Sequence, residues 1–74
     1  MKYSLYLNEN FIQSADAQGH LMIKSTYRMW QWINPMGVEI PLGESTLSIR
    51  EGDRVISTAI FGRHIKKLNW KVLK

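Results

Sequence analysis

The stretch Leu47-Ser-Ile-Arg-Glu-Gly-Asp-Arg-Val-Ile-Ser-Thr-Ala-Ile-Phe61 contains the clearest structural signal in the chain. Its centre, Glu51-Gly52-Asp53, is typical of a turn, because glycine adopts positive φ without steric cost and aspartate bonds to nearby backbone. Apolar and polar residues alternate before the turn over residues 47–49, and a second strand-like run follows from residue 54 to about 61. The stretch therefore predicts a β-hairpin.

Three other segments show the alternation of a strand with one buried face. Residues 3–7 alternate apolar and polar side chains, residues 11–14 form a shorter candidate after a polar turn, and residues 65–73 place Leu68, Trp70 and Val72 on one face. Residues 36–44 contain two glycines and a proline and are predicted to be a connecting loop. Strands therefore dominate the prediction.

Residues 16–33 carry a mixed signal. Residues 16–19, Asp-Ala-Gln-Gly, predict a turn, but residues 21–33 fit both a strand and an amphipathic helix. The interpretation adopted is a strand through Ile23, then a short helix from about Ser25 to Ile33. Ser25 can serve as the N-cap, and Asn34-Pro35 is expected to end the helix. Strand and helix both remain open for residues 24–33.

The composition predicts one small domain spanning residues 1–74. So short a chain buries only about 60% of its unfolded surface, and it has no cysteine to reinforce it, so we expect a homodimer. The formal charge of +4 favours a polyanion such as nucleic acid as partner. No apolar run is long enough for a membrane span and no secretory signal is evident, so the expected location is cytoplasmic.

No residue set predicts an enzyme, a metal site or a cofactor. The two histidines, His20 and His64, lack the spacing of metal ligands, and the six carboxylates fall mostly in turns. There is no glycine-rich phosphate loop and no serine nucleophile motif. We expect no catalytic residue, no metal and no cofactor.

The basic and aromatic residues carry the functional signal. Lys24 and Arg28 lie one helical turn apart, so on a helix they form one cationic edge that can meet phosphates or, through Arg28, a guanine. A solvated helix face is the equally weighted alternative. The three tryptophans, Trp30, Trp32 and Trp70, are expected mainly in the core and at a subunit interface. Four lysines near the C-terminus (Lys66, Lys67, Lys71 and Lys74) are expected to protect an edge strand and to assist phosphate binding.

Two motifs together resemble the SpoVT/AbrB-like domains, which include AbrB-type, MazE-type and MraZ-type proteins. Residues 11–23, FIQSADAQGHLMI, followed by Arg28 resemble the first motif, and L-x-I-x-E-G-D-x-V over residues 47–55, then Gly62-x-x-Ile65, resembles the second. The resemblance implies a small swapped-hairpin-like β-barrel in a dimer that binds DNA through the helix and adjacent loops. The chain departs from the family at three positions, where it has His20, Lys24 and Met29.

A second stretch, Ser25-Thr-Tyr-Arg-Met-Trp30 before a loop and a hairpin, resembles phage excisionases, which are winged-helix proteins. The overall prediction is a mainly β protein with one short helix, with the swapped-hairpin-like barrel preferred and a winged helix as alternative. The predicted function is a dimeric DNA-binding transcriptional regulator of bacterial, phage or mobile-element origin, acting on duplex DNA. The alternatives are a phage or mobile-element protein that inhibits a host protein and, less favoured, a single-stranded nucleic-acid binder. The predicted phosphate-facing residues are Lys24 and Arg28, then His20, Arg50 and Arg54.

Overall fold

The computed structural model describes residues 2–73 as one antiparallel sheet with a short helix on one of its faces. The strands are β1 (Tyr3–Leu7), β2 (Asn10–Ala15), β3 (Ser45–Glu51), β4 (Arg54–Phe61) and β5 (Lys71–Val72), and the helix α1 spans Thr26–Ile33. Two short 3₁₀ helices, Gln18–His20 and Asn34–Met36, lie before and directly after α1. The prediction of a mainly β protein with one short helix is confirmed.

The five strands are arranged in the order β2-β1-β3-β4-β5, and each pairs antiparallel with its neighbours. The predicted hairpin is formed by β3 and β4, with Gly52 at a φ of 63°, where a side chain would be strained. Asn8 also has a positive φ, 53°, in the turn between β1 and β2. The sheet is open, with β2 and β5 at its edges, so one chain alone does not close the barrel that the resemblance implies.

The core lies between the sheet and α1. Because paired residues share a face, the register places two buried rows on this side, with Leu5 beside Ile49 and Leu7 beside Leu47. The helix contributes its three buried residues, Thr26, Met29 and Ile33. We call this side of the sheet the helix side and the opposite side the outer face.

The helix begins where the sequence predicts. The Ser25 hydroxyl accepts a hydrogen bond from the Arg28 backbone N–H at 3.3 Å, which satisfies one of the free donors of the first turn. Asn34 and Pro35 do not end the helical path at once, since a 3₁₀ turn follows and terminates at Gly37 with a φ of 68°. Glycine takes this left-handed conformation without the penalty of a Cβ.

Two predicted strands are wrong. Residues 21–23 form a turn and extended chain outside the sheet, and of residues 65–73 only Lys71 and Val72 form a strand. Residues 67–72 alternate polar and apolar side chains but have no long partner strand, and residues 21–23, Leu-Met-Ile, are apolar throughout. A single antiparallel bridge joins Ser25 to Lys67, and the Leu68 N–H donates to the Lys24 carbonyl at 2.8 Å. One bridge and a few bonds are too little for a ladder.

The winged-helix alternative is not supported by the elements observed. The region before Gly19 forms β1 and β2, and α1 is the one α-helix among residues 2–73. The first helix of a helix-turn-helix unit is therefore absent from the described part of the chain. The helix α1 has eight residues. No helix within residues 2–73 has the length and apolar character needed to cross a membrane.

Candidate nucleic-acid interface

Three links fasten the start of α1 and the residues before it to the segment before β5. In addition to the Ser25–Lys67 bridge, which includes the bond to the Lys24 carbonyl, the Thr26 hydroxyl donates to the Ile65 carbonyl at 2.7 Å. The Trp70 indole N–H donates to the Ile23 carbonyl at 2.8 Å. These links hold the start of the helix and the basic C-terminal segment side by side.

An open groove of about 410 Å³ lies between these two segments. Its lining combines two cations, one amide, one indole and two apolar residues: Lys24, Lys67, Asn69, Trp70, Met22 and Leu68. Leu68 is fully buried and forms the base of the groove, whereas both lysines and Asn69 are exposed. We call it the Lys24–Lys67 groove. None of the six acidic residues lines it.

The electrostatics of this end of α1 are uniformly positive. A helix N-terminus carries a partial positive charge, so acidic side chains are favoured there, yet the first turn of α1 has none. It carries Arg28 instead, with Lys24 preceding the cap. Neither residue forms an ion pair within residues 2–73, nor does Lys67. The region therefore presents positive charge that the described part of the fold leaves uncompensated.

The exposed face of α1 continues this region. Tyr27 is 71% exposed, and Arg28 and Gln31 are also exposed, because the opposite face of the helix contacts the core. Helical spacing groups Tyr27 with Trp30 and Ile33 on the apolar side, but the tyrosine is exposed. Tyrosine, arginine and glutamine side chains all donate hydrogen bonds at nucleic-acid surfaces.

The five predicted phosphate-facing residues do not form one cluster. Lys24 lines the groove and Arg28 is exposed in the first turn of α1, so the two lie in the same region. His20 is exposed at the end of its 3₁₀ helix. Arg54 begins β4 opposite Glu51, next to the β3–β4 turn. Arg50 belongs to the outer face, which lies across the sheet from α1.

Arg50 already has partners on the outer face. Its guanidinium carbon lies 4.0 Å from the centre of the Tyr6 ring, and its Nη2 lies 3.6 Å from a carboxylate oxygen of Glu9. Tyr6 in turn contacts Phe11 edge to face, with ring centres 5.8 Å apart. This arrangement binds Arg50 to the fold rather than presenting it to a phosphate.

Lys67 and Trp70 join Lys24 in the groove, although the sequence predicts a protective basic edge for the lysine and the core or a subunit interface for the indole. Trp70 is half-buried and packs against the core, as do Trp30 and Trp32. No local pattern joins these residues, since alternation over residues 67–70 places Lys67 and Trp70 on opposite faces.

The potential metal-ligating side chains are scattered within residues 2–73. No group of three or more potential metal ligands occurs within residues 2–73. The nearest approach of a histidine to a carboxylate is the exposed pair His64 and Glu44, whose side chains lie 3.2 Å apart. No protein-family profile, no curated protein and no solved structure matches this chain.

Proposed function

We propose that this protein is a nucleic-acid-binding regulator that contacts duplex DNA through the basic end of α1. The observation that carries the proposal is the gathering of Lys24, Arg28 and Lys67 at one end of the helix without an ion-pair partner among residues 2–73. Cations that have no neutralising carboxylate break no ion pair when they bind phosphates, and their binding releases counterions from the DNA.

The exposed helix face suits the major groove. The major groove is about 12 Å wide and admits an α-helix, whose diameter with side chains is about 10–12 Å. Arg28 would reach a guanine edge or a phosphate, and Gln31 an adenine edge, while Lys24 and Lys67 would bind the flanking phosphates. We assign no phosphate contact to Arg50, which is stacked and paired on the outer face, or to Arg54, which lies opposite Glu51 beside the β3–β4 turn.

A homodimer belongs to the same proposal. The edge strand β2 contains no charged residue and no proline, the features that usually block pairing between sheet edges, although its bulge partly protects it. The other edge, β5, has only two residues and includes Lys71. We propose a cytoplasmic protein of bacterial, phage or mobile-element origin that has no catalytic activity, cofactor or metal, consistent with the SpoVT/AbrB-like resemblance.

The test is fluorescence anisotropy with labelled duplex DNA across a salt series, on protein whose mass in solution is measured alongside. We expect a dimer whose affinity falls steeply with salt. Arg28→Ala should weaken binding about tenfold or more, because hydrogen bonds to a charged group contribute about 1.5–3 kcal/mol. Arg54→Ala is the matched control, with the same loss of charge. Equal affinities for the two variants, or no binding at low salt, would refute the proposal.

A protein partner is the second candidate function, and the outer face favours it. Phe11, Val55 and Ile60 are 44%, 37% and 46% exposed there, so apolar area is available to an interface. A tight complex with one purified host protein that is insensitive to salt and lost in Phe11→Ala would support this candidate. The same protein would then fail to bind duplex DNA in the salt series.

A further inference from the structure

We infer that the Lys24–Lys67 groove binds a single nucleotide unit, with the base against Trp70 and the phosphate between the two lysines. The inference deepens the proposed function, since it assigns a ligand to one part of the same region. Duplex DNA needs only the exposed cations and the helix face. The groove offers something different, namely a concave surface with an aromatic ring.

The size and lining of the groove fit a small planar anion. Small-ligand pockets typically enclose roughly 300–1,000 Å³ and are mostly apolar with a few convergent polar groups. The groove encloses about 410 Å³ and has Met22, Leu68 and Trp70 as its apolar part. A free phosphate would use neither Met22 nor Trp70, whereas a nucleobase can contact both, because every base has a face that stacks on an aromatic ring.

The Trp70 indole is preorganised for stacking. Its N–H is already bonded to the Ile23 carbonyl at 2.8 Å, which restricts rotation of the ring and leaves no polar atom of the side chain without a partner. The ring is half-buried, so one part contacts the core and another part faces the groove. A fixed aromatic surface loses little conformational entropy on binding.

The polar groups of the groove complement the rest of a nucleotide. The Asn69 amide both donates and accepts, as the edge of a base does. Lys24 and Lys67 both line the groove from adjacent segments, and each carries its ammonium group on a flexible four-carbon chain that can turn toward one phosphate. No carboxylate lines the groove to compete for them.

The same chemistry has two sources, a free nucleotide or an unpaired nucleotide within a strand. The experiment therefore uses three probes on the full chain: adenosine 5′-monophosphate, an eight-residue single-stranded oligoadenylate, and adenosine as the uncharged control. The readout is the set of indole N–H signals in a ¹H–¹⁵N spectrum, with the Trp70 signal assigned by its loss in Trp70→Phe. Duplex anisotropy is measured in parallel.

We expect the monophosphate or the oligonucleotide to shift the Trp70 and Asn69 signals, and adenosine to bind at least tenfold more weakly. The double variant Lys24→Gln/Lys67→Gln should weaken binding at least tenfold, whereas Lys2→Gln should leave it unchanged, because Lys2 lies before β1 and does not line the groove. Circular dichroism checks that these surface variants fold. The Trp70→Phe spectrum is used for assignment alone, so loss of its indole bond does not affect the test.

Stronger binding by the monophosphate than by the strand identifies a free nucleotide, and the reverse order identifies an unpaired nucleotide in a strand; both support the inference. An unmoved Trp70 signal with all three probes overturns it. If duplex DNA still binds through Arg28 in that case, the proposed function stands and only the groove assignment fails. If duplex binding is absent while the monophosphate shifts Trp70, the groove assignment stands without the proposed function.

Discussion

The two sides of the sheet use their cations in different ways. On the outer face, Arg50 is stacked on Tyr6 and paired with Glu9. On the helix side, Lys24 and Lys67 line the groove, and Arg28 is exposed in the first turn of α1. None of the three has an ion-pair partner among residues 2–73. A cation that is already stacked and neutralised contributes to folding, whereas one left uncompensated beside a groove is available to a ligand. Net charge alone cannot separate these two cases.

The largest expected effect comes from truncating a core side chain at the base of the groove. Leu68 is fully buried at the base of the groove, so Leu68→Ala should lower the free energy of unfolding by about 3 kcal/mol, within the 2–5 kcal/mol typical of such truncations. Urea unfolding measures this change. Val72→Ala is the control, because Val72 is 52% exposed in β5 and should cost about 0.5 kcal/mol or less. Similar values for both variants would show that Leu68 contributes no more to stability than an exposed residue does.

The second prediction compares the cations of the two sides directly. Lys24→Ala/Lys67→Ala should lower the salt dependence of duplex binding by about two phosphate contacts, because each lysine at a phosphate adds roughly one unit of slope. Arg50→Ala should leave that slope unchanged. Anisotropy titrations at several salt concentrations give the slopes. A slope that falls for Arg50→Ala and not for the lysine variant would reverse the assignment of the two sides.

The third prediction concerns what Arg50 does for the fold. Arg50→Ala should reduce the free energy of unfolding by about 1 kcal/mol, of the size expected for a cation over an aromatic ring at a partly exposed site. Glu9→Gln should have almost no effect, because Glu9 is 91% exposed and exposed ion pairs contribute little. Chemical unfolding of both variants distinguishes the two contacts. A larger loss for Glu9→Gln would mean that the ion pair, and not the stacking, holds Arg50.

The smallest expected effect is a pH dependence at the end of the sheet. Tyr3 lies opposite Glu51 in the β1–β3 register, and the negative charge of Glu51, with some burial, raises the pKa of the Tyr3 hydroxyl. The folded state therefore holds this proton more tightly than the unfolded state. Stability is retained below the ordinary tyrosine pKa and falls as pH rises through the raised value.

Removing the charge tests this assignment. Glu51→Gln should lower the pKa of Tyr3 toward its ordinary value, which ultraviolet titration of the phenol detects. Tyr3→Phe identifies its contribution among the three tyrosines. An alkaline titration curve that is the same with and without Glu51 would contradict the prediction.

Local signals predicted most of the sheet correctly. The β3–β4 hairpin follows from a turn whose glycine needs positive φ, and β1 and β2 follow from alternation next to Asn8, which also takes positive φ. The start of α1 was predictable because a serine cap acts within three residues. The predictions failed for residues 21–23, which are all apolar but have no partner strand, and for most of residues 65–73, where alternation occurs without a long partner strand.

The candidate site was predictable only in part, for the same reason. Lys24 and Arg28 are four residues apart, so their proximity follows from helical spacing. Lys67 and Trp70 reach them through contacts between residues about forty positions apart, and no local pattern specifies such contacts. Residue type alone predicts a phosphate contact for both Lys24 and Arg50, although the face of the sheet that holds Arg50 lies away from the helix.

Residue type and spacing within a few residues specify the mainly β class, the hairpin turns, the helix cap and the positive charge. Which cations share a surface depends on the tertiary fold. Packing of α1 on one face of the sheet, and the links between residues 23–26 and 65–70, place Lys67 and Trp70 beside Lys24 and leave Arg50 on the other side. Those contacts form only when the whole chain buries its apolar residues in one core.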